Sequence, residues 1–130
     1  MYVVVDSSVL IAAYLHRDGF TDKLLRSMFD RDYLICVSQA ILEEFQKQTR
    51  ELGATESEIA AYVERLLRFA VVCDETDYSP AQVQADDHIV GCYHRCQANL
   101  VVSNDKALIR RLKADGIPAV RPSTFQSYFS

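Results

Sequence analysis

Short runs of β-branched and other apolar residues alternate along the chain with longer segments of helical periodicity, and this alternation constrains the fold more than any other feature. The runs that predict strands are Tyr2–Val5, Tyr33–Val37, Val71–Cys73, Leu100–Ser103 and Ala119–Val120. Strands separated by helices pair in parallel, and the helices then cover both faces of the sheet. We therefore expect an α/β fold, a three-layer sandwich with a central parallel sheet, as a single domain over residues 1–130.

Capping residues mark where the predicted helices begin and end. Thr21 and Ser38 are suitable N-caps, and Thr55 with Glu58 forms a capping-box sequence. The predicted helical segments are Ser7–Leu15, the residues after Thr21, Ser38 to Leu52 with Gly53 as the stop, Thr55 to about Phe69, Asp86–Gln97, Asp105–Asp115 with Gly116 as the stop, and Ser123–Tyr128. A polar connection, Asp74–Ala85, precedes the fifth of these helices.

The net charge of −4 bears on the class of partner. Proteins that hold nucleic acid through general electrostatics are usually basic. Either nucleic acid is not the partner, or bound cations offset the negative charge locally. Two divalent cations would cancel the net charge of −4.

The cysteines Cys36, Cys73, Cys92 and Cys96 form no C-x-x-C pair. Cys36 and Cys73 lie in apolar runs, which is typical of small core residues. His88, Cys92 and Cys96 are spaced four apart on a predicted helix, so a metal-binding stripe is an alternative to a buried helix face, and we favour the buried face. Thiols without a disulfide framework indicate a reducing compartment.

The N-terminal apolar run has no basic leader and is interrupted by Asp6, which argues against a signal peptide. No stretch of the sequence is long enough to cross a bilayer. We expect a cytoplasmic protein with no membrane partner.

Two acids follow predicted strands. Asp6 comes directly after the first strand, and Asp105 comes shortly after the strand Leu100–Ser103. The carboxyl ends of parallel strands meet at one edge of the sheet, where ligands bind in such folds. Each acid is equally well explained as a helix N-cap.

Helical periodicity separates two pairs of adjacent acids. Glu44 lies at the border of the apolar face of its helix, whereas Glu43 points to solvent. Asp86 lies close to the inner face of its helix, whereas Asp87 lies well away from it. A carboxylate on an inner face needs a partner, and a metal ion is a natural one. The alternatives are that Glu44 is an ordinary solvated acid and that Asp86 only caps its helix.

Clusters of carboxylate oxygens select hard cations such as Mg²⁺ and Mn²⁺. Such ions support the hydrolysis of phosphodiester bonds. The sequence contains no nucleotide-binding glycine motif and no Ser-His-Asp signature that would favour other chemistry.

The segments that carry these acids resemble those of the PIN-domain family, which includes the VapC-type toxin ribonucleases of type II toxin–antitoxin pairs. The matching segments are Val3–Ala13, Ser38–Phe45, Asp86–Val90 and Leu100–Asp105. Ser8 stands where the family usually has Asn. The resemblance implies that the catalytic metal ligands are Asp6, Glu44, Asp86 and Asp105, with Ser7, Ser8 and Ser103 in supporting positions.

The resemblance also implies what the protein does. It implies a PIN-like fold and a metal-dependent endoribonuclease that uses Mg²⁺ or Mn²⁺ to hydrolyse RNA. It further implies the role of a toxin with an antitoxin protein as its partner, and homodimers are common in the family. The alternatives are a catalytically inactive PIN-like RNA-binding or scaffolding module, a receiver-type phosphotransfer domain and an aspartate-dependent phosphatase. Position 8 is serine, which argues against the last two.

A basic segment follows Asp105. Lys106, Arg110 and Arg111 lie on the predicted helix and are candidate contacts for RNA phosphates. A solvated helix face explains them equally well.

Overall fold

Five parallel strands form the centre of the molecule. The computed structural model describes residues 1–73 and 87–128. The strands are β1 (Tyr2–Val5), β2 (Leu34–Ser38), β3 (Ala70–Cys73), β4 (Leu100–Val102) and β5 (Ala119–Val120). They pair in the order β3-β2-β1-β4-β5, with Val4 opposite Cys36 on one side and Val101 on the other. The predicted parallel sheet is confirmed, and helices flank it in a three-layer α/β arrangement.

The described helices are α1 (Ser7–Leu15), α2 (Phe20–Asp30), α3 (Gln39–Glu51), α4 (Glu56–Leu66), α5 (Asp87–Arg95), α6 (Lys106–Ala114) and α7 (Pro122–Ser127). The predicted caps of α3 and α4 are confirmed: the Ser38 hydroxyl accepts from the Ile41 amide, and Thr55 and Glu58 form a complete capping box. Thr21 as an N-cap is wrong, because α2 already begins at Phe20. The helix predicted to reach about Phe69 ends at Leu66.

The core lies between the sheet and the helices. Val3, Val4 and Val5 of the central strand are fully buried. Over one face, the ring of Phe45 from α3 packs against Tyr14 and Tyr62, with ring centroids 5.9 and 5.2 Å away. Burial of this kind is the main favourable term in folding, and here it fixes α1, α3 and α4 relative to one another.

The order of the strands reverses at β1. The chain moves outward from β1 to β2 and β3, then crosses back to add β4 on the other side of β1. The connections that leave β1 and β4 therefore diverge, and a crevice opens at the carboxyl ends of these two strands. Asp6 follows β1 and Ser103 follows β4, so the fold brings these residues to one point.

Two cysteines are bonded, contrary to the expectation of isolated thiols. Cys73 at the end of β3 forms a disulfide with Cys96, which follows α5, and their Cα atoms are 6.0 Å apart. The sequence did not reveal this pair because the two residues are 23 positions apart and meet only through the fold. The part of the chain that the structure describes contains no helix long and apolar enough to cross a membrane.

Candidate metal centre

Asp6 is the most deeply buried of the predicted acids that the structure describes, with 5% of its surface exposed. One carboxylate oxygen, Oδ1, accepts hydrogen bonds from the Ser8 hydroxyl at 2.6 Å and from the Val9 amide at 3.2 Å. The second bond makes Asp6 the N-cap of α1. The expectation that Asp6 is a cap and the expectation that it lies at the sheet edge are therefore both correct.

Ser103 joins the two strand-end acids. Its fully buried hydroxyl donates to Oδ2 of Asp6 and accepts from the Asp105 amide at 2.9 Å. Ser8 makes a second connection, because its hydroxyl also accepts from the Asn104 amide at 3.2 Å. The loops after β1 and β4 are thus tied together by the hydroxyls of Ser8 and Ser103. Ser7 is buried, but the structure gives its side chain no hydrogen bond to either acid among the described residues.

Burial raises the pKa of the Asp6 carboxyl above its ordinary value. The hydrogen bonds from Ser103, Ser8 and Val9 oppose this shift, while the negative charge of Asp105 adds to it. In the described part of the chain no lysine or arginine forms an ion pair with Asp6. Asp6 is therefore a buried carboxylate with neutral donors around it and a second negative charge nearby.

Asp105 is exposed and caps α6. Its Oδ1 accepts from the amides of Ala107 and Leu108 at 2.9 and 3.2 Å. The other oxygen, Oδ2, is not used by these capping bonds. Both α1 and α6 begin at this point, so the positive ends of two helix dipoles face the same crevice.

Glu44 is half-buried on α3, whereas Glu43 is exposed, which confirms the predicted helix register. The Oε1 atom of Glu44 accepts a hydrogen bond from the Gln48 amide group at 3.0 Å. Its Oε2 lies 3.8 Å from Nε2 of His88 on α5. The His88 Nδ1 atom is buried and has no hydrogen-bond partner among the described residues. The spacing of His88, Cys92 and Cys96 suggested only a possible metal-binding stripe, and the contact of His88 with Glu44 could not be predicted because nothing local in the sequence relates α3 to α5.

The predicted ligands are not all brought together in the described structure. Asp86 lies outside the described residues, and so does any contact that it makes. The oxygens of Asp6, Glu44 and Asp105 do not form a set within 4.8 Å of one another. Within residues 1–73 and 87–128, the group that meets this criterion is Cys36, Cys73 and Cys96. The acids therefore form two parts, the Asp6–Ser103–Asp105 network and the Glu44–His88 pair.

A cavity of about 670 Å³ borders the second part. Glu44 and His88 line it together with Glu43, Lys47 and Gln48 of the same helix surface. Glu44 is therefore reachable from solvent.

The basic residues of α6 follow Asp105: Lys106 comes directly after it, and Arg110 and Arg111 lie about one turn further along the helix. Lys106 and Arg110 are exposed and four positions apart, so they share one face of the helix. Arg111 is half-buried and lies to the side of that face. Lys106 and Arg110 therefore present their side chains on one exposed face that Arg111 does not share fully.

Comparison with known proteins agrees with this architecture. The family profile described as a PIN-like domain matches residues 3–122. Ribonuclease VapC9 of Archaeoglobus fulgidus is 32% identical over 116 residues, a match that spans 88% of this chain and 78% of that protein.

Solved structures share the fold. A chain of VapBC2 from Rickettsia felis, solved with a DNA fragment from its promoter, has a TM-score of 0.68 at 12% identity, over 93% of this chain and 98% of that one. A PilT N-terminus domain protein from Sulfolobus solfataricus P2 has a TM-score of 0.63 at 17% identity, over 98% of this chain and 92% of that one. The solved structures share the fold, while the matched family profile and the VapC9 relative establish that the chain is a VapC-type member of the PIN-like domain family.

Proposed function

We propose that this protein is a metal-dependent endoribonuclease that hydrolyses RNA phosphodiester bonds, acting as the toxin of a toxin–antitoxin pair. The observation that carries the proposal is the buried Asp6 carboxylate, joined through Ser103 to the loop of Asp105 at the strand-order reversal. Support also comes from the name of the VapC9 relative, which is a ribonuclease.

The donor set suits a hard divalent cation. Asp6 is buried beside a second acid without a basic partner among the described residues, and a cation would remove the resulting penalty. Mg²⁺ and Mn²⁺ prefer carboxylate oxygens as ligands. Mg²⁺ usually retains several bound waters, so one or two direct carboxylates are enough to hold it. We assign Asp6, Glu44, Asp86 and Asp105 as the residues that would hold it. A bound ion would supply positive charge to the attacked phosphate and lower the pKa of a nearby water.

The chain's own residues would divide the remaining work. Ser103 and Ser8 fix both oxygens of Asp6, so this carboxylate is held in one orientation before any ligand arrives. The amino ends of α1 and α6 favour negative charge in the crevice, which suits a phosphodiester. Lys106 and Arg110 are positioned to meet neighbouring phosphates, with Arg111 beside them.

The assembly partners follow from the relatives. The Rickettsia felis structure contains a VapB–VapC pair with promoter DNA, and we infer an antitoxin partner for this chain by that likeness. A homodimer and a cytoplasmic location remain predictions from the family resemblance and the sequence.

Paired variants test the assignment of the acids. Glu44→Gln and Asp86→Asn should each lower cleavage of a labelled RNA in Mn²⁺ by roughly a hundredfold or more, because each removes a proposed ligand. Their neighbours, Glu43→Gln and Asp87→Asn, are the matched controls and should retain most of the activity. Asp6→Asn should behave like the first pair.

The same assay distinguishes the alternatives. Circular dichroism first establishes that every variant is folded. Cleavage that survives in all five variants comes from a contaminant and refutes the proposal. A folded wild-type protein that binds RNA without cutting it, at any Mn²⁺ concentration, is instead an inactive PIN-like binding module.

A further inference from the structure

Three sulfur atoms meet away from the acids. Cys36 of β2, Cys73 at the end of β3 and Cys96 after α5 place their Sγ atoms within 4.8 Å of one another. Cys73 and Cys96 share a bond, and Cys36 lies beside that bond. The Cα separation of 6.0 Å lies in the usual range for a disulfide, so the backbone accommodates the bond where it is.

The two bonded residues differ in access. Cys73 is 4% exposed, whereas Cys96 is half-buried. An external thiolate therefore reaches the Cys96 sulfur first. Cys36 is buried in the sheet, and burial raises the pKa of its thiol to about 11. Since the thiolate is the attacking species, Cys36 stays protonated at neutral pH and leaves the neighbouring bond intact.

The bond encloses a part of the chain that matters for the candidate metal centre. Cys73 and Cys96 are 23 positions apart, and the enclosed residues include Asp86 and the whole of α5. α5 packs against β1, β2 and α3, and it carries His88, whose Nε2 lies 3.8 Å from Glu44. The bond thus anchors one end of α5 to edge strand β3, while His88 near the other end of α5 lies beside Glu44.

We propose that Cys73 and Cys96 form a reversible thiol–disulfide site whose reactants are small-molecule thiols and disulfides. We further propose that the bonded form holds α5 in place for the metal centre. This second part rests on the proposed function. In the reduced form α5 keeps the packing of Ile89 and Cys92 against the core but loses its covalent anchor. α5, which carries His88, is then held less firmly beside Glu44.

The chemistry balances with two external thiols. The first, as its thiolate, attacks Sγ of Cys96, forms a mixed disulfide and releases Cys73 as a thiolate, which takes a proton. The second attacks the external sulfur of the mixed disulfide and releases Cys96 as a thiolate, which also takes a proton. The protein bond gains two electrons and two protons, and the external thiols leave as one disulfide. Oxidation is the reverse, with a small-molecule disulfide as the oxidant.

The experiment compares the folded wild-type protein in oxidised glutathione and in a dithiol. After each incubation the protein is denatured, alkylated and analysed by peptide mass mapping. Cys73 and Cys96 should be unmodified after oxidised glutathione, because they are bonded to each other, and alkylated after the dithiol. The melting temperature should fall by roughly 8–15 °C on reduction, as expected for opening a loop of this length. The additional rise in melting temperature produced by Mn²⁺ should be smaller in the reduced protein.

Variants locate the effect. Cys73→Ser should melt at the reduced wild-type temperature in both buffers. Cys92→Ala is the matched control, because Cys92 is buried on α5 one turn before Cys96 but lies outside the bond, and it should keep the response to the dithiol. If a variant fails to fold, the mass mapping of wild type still decides whether the bond forms and reverses.

Several outcomes would overturn the proposal. Cys73 and Cys96 could both be alkylated from the glutathione buffer, or the bond could survive the dithiol in the folded protein. Reduced protein that takes up one equivalent of Zn²⁺ through Cys36, Cys73 and Cys96 would make the cluster a thiolate metal site instead. If Mn²⁺ raises the melting temperature equally in the oxidised and reduced proteins, the bond does not hold α5 in place for the metal centre. If the bond forms and reverses as expected but the protein cleaves no RNA in either redox state, the proposed ribonuclease function is wrong and the thiol–disulfide site is not.

Discussion

Ser103→Ala tests the connection between the two strand-end acids most directly. The substitution removes a fully buried hydroxyl and nothing else of size, so it leaves the packing of β4 almost unchanged. Two hydrogen bonds disappear with it: the one donated to Oδ2 of Asp6 and the one accepted from the Asp105 amide. Among the described residues, Asp6 then keeps its bonds to Ser8 and Val9.

The expected loss follows from these two bonds. A buried hydrogen bond to a charged group contributes about 1.5–3 kcal/mol to stability, and a neutral bond contributes about 1 kcal/mol. Ser103→Ala should therefore lower the free energy of unfolding by about 2–4 kcal/mol in the absence of metal. For a chain of this length, that corresponds to a melting temperature lower by roughly 6–15 °C. Ser8→Ala, at a half-buried position, should cost less than Ser103→Ala.

A double-mutant cycle isolates the contact with Asp6. Urea unfolding at neutral pH in EDTA would give the free energy of unfolding of wild type, Ser103→Ala, Asp6→Asn and the double variant. Because Asn is neutral, Ser103→Ala should cost at least about 1 kcal/mol less in the Asp6→Asn background than in wild type. Equal costs in the two backgrounds would show that Ser103 does not stabilise the Asp6 charge, and the reasoning about this network would be wrong.

Two further predictions concern pH and salt. Because burial raises the pKa of Asp6 in the folded state, the metal-free protein should lose stability as pH rises from the pKa of Asp in the unfolded chain through its pKa in the folded protein, whereas the stabilisation by Mn²⁺ should grow over the same pH range because protons no longer compete for the carboxylate. Melting curves measured across mildly acidic pH with and without Mn²⁺ test this. A stabilisation by Mn²⁺ that declines with rising pH would contradict it. The double variant Lys106→Ala with Arg110→Ala should bind RNA more weakly and with a slope against log salt reduced by roughly 1–2, measured by fluorescence anisotropy, and an unchanged slope would leave both as ordinary surface charges.

The sequence predicted local structure where one helix or strand carries the information. The exposure of Glu43 and the half-burial of Glu44 followed from the apolar spacing of α3 alone. The stop at Gly116 was also correct, because its φ of 80° ends α6 in a conformation that glycine adopts readily. Thr21 failed as a cap because Phe20 already belongs to α2, and the Lys23 amide donates to the Gly19 carbonyl two positions before Thr21.

Relations between distant segments could not be predicted in the same way. The Cys73–Cys96 bond joins β3 to the end of α5, and the His88–Glu44 contact joins α5 to α3. Neither pair has a local sequence signature, and both depend on how α5 packs against the sheet and α3. The resemblance to a known family gave the identity of the acids, but the bond from Ser103 to Asp6 emerged only once β1 and β4 were paired.

The hydrogen bond between Ser103 and Asp6 spans 97 positions, and this separation has a consequence during protein synthesis. β1 and Asp6 emerge from the ribosome first, yet the Asp6 carboxylate gains its hydrogen bond from Ser103 only after β4 has emerged and paired with β1. A nascent chain that stops before residue 103 has the first acid and the helix that it caps, but not the network. Non-local contacts of this kind also form late when a complete chain folds. The proposed cutting centre would therefore be assembled only on nearly finished chains, so incomplete translation products would not carry it.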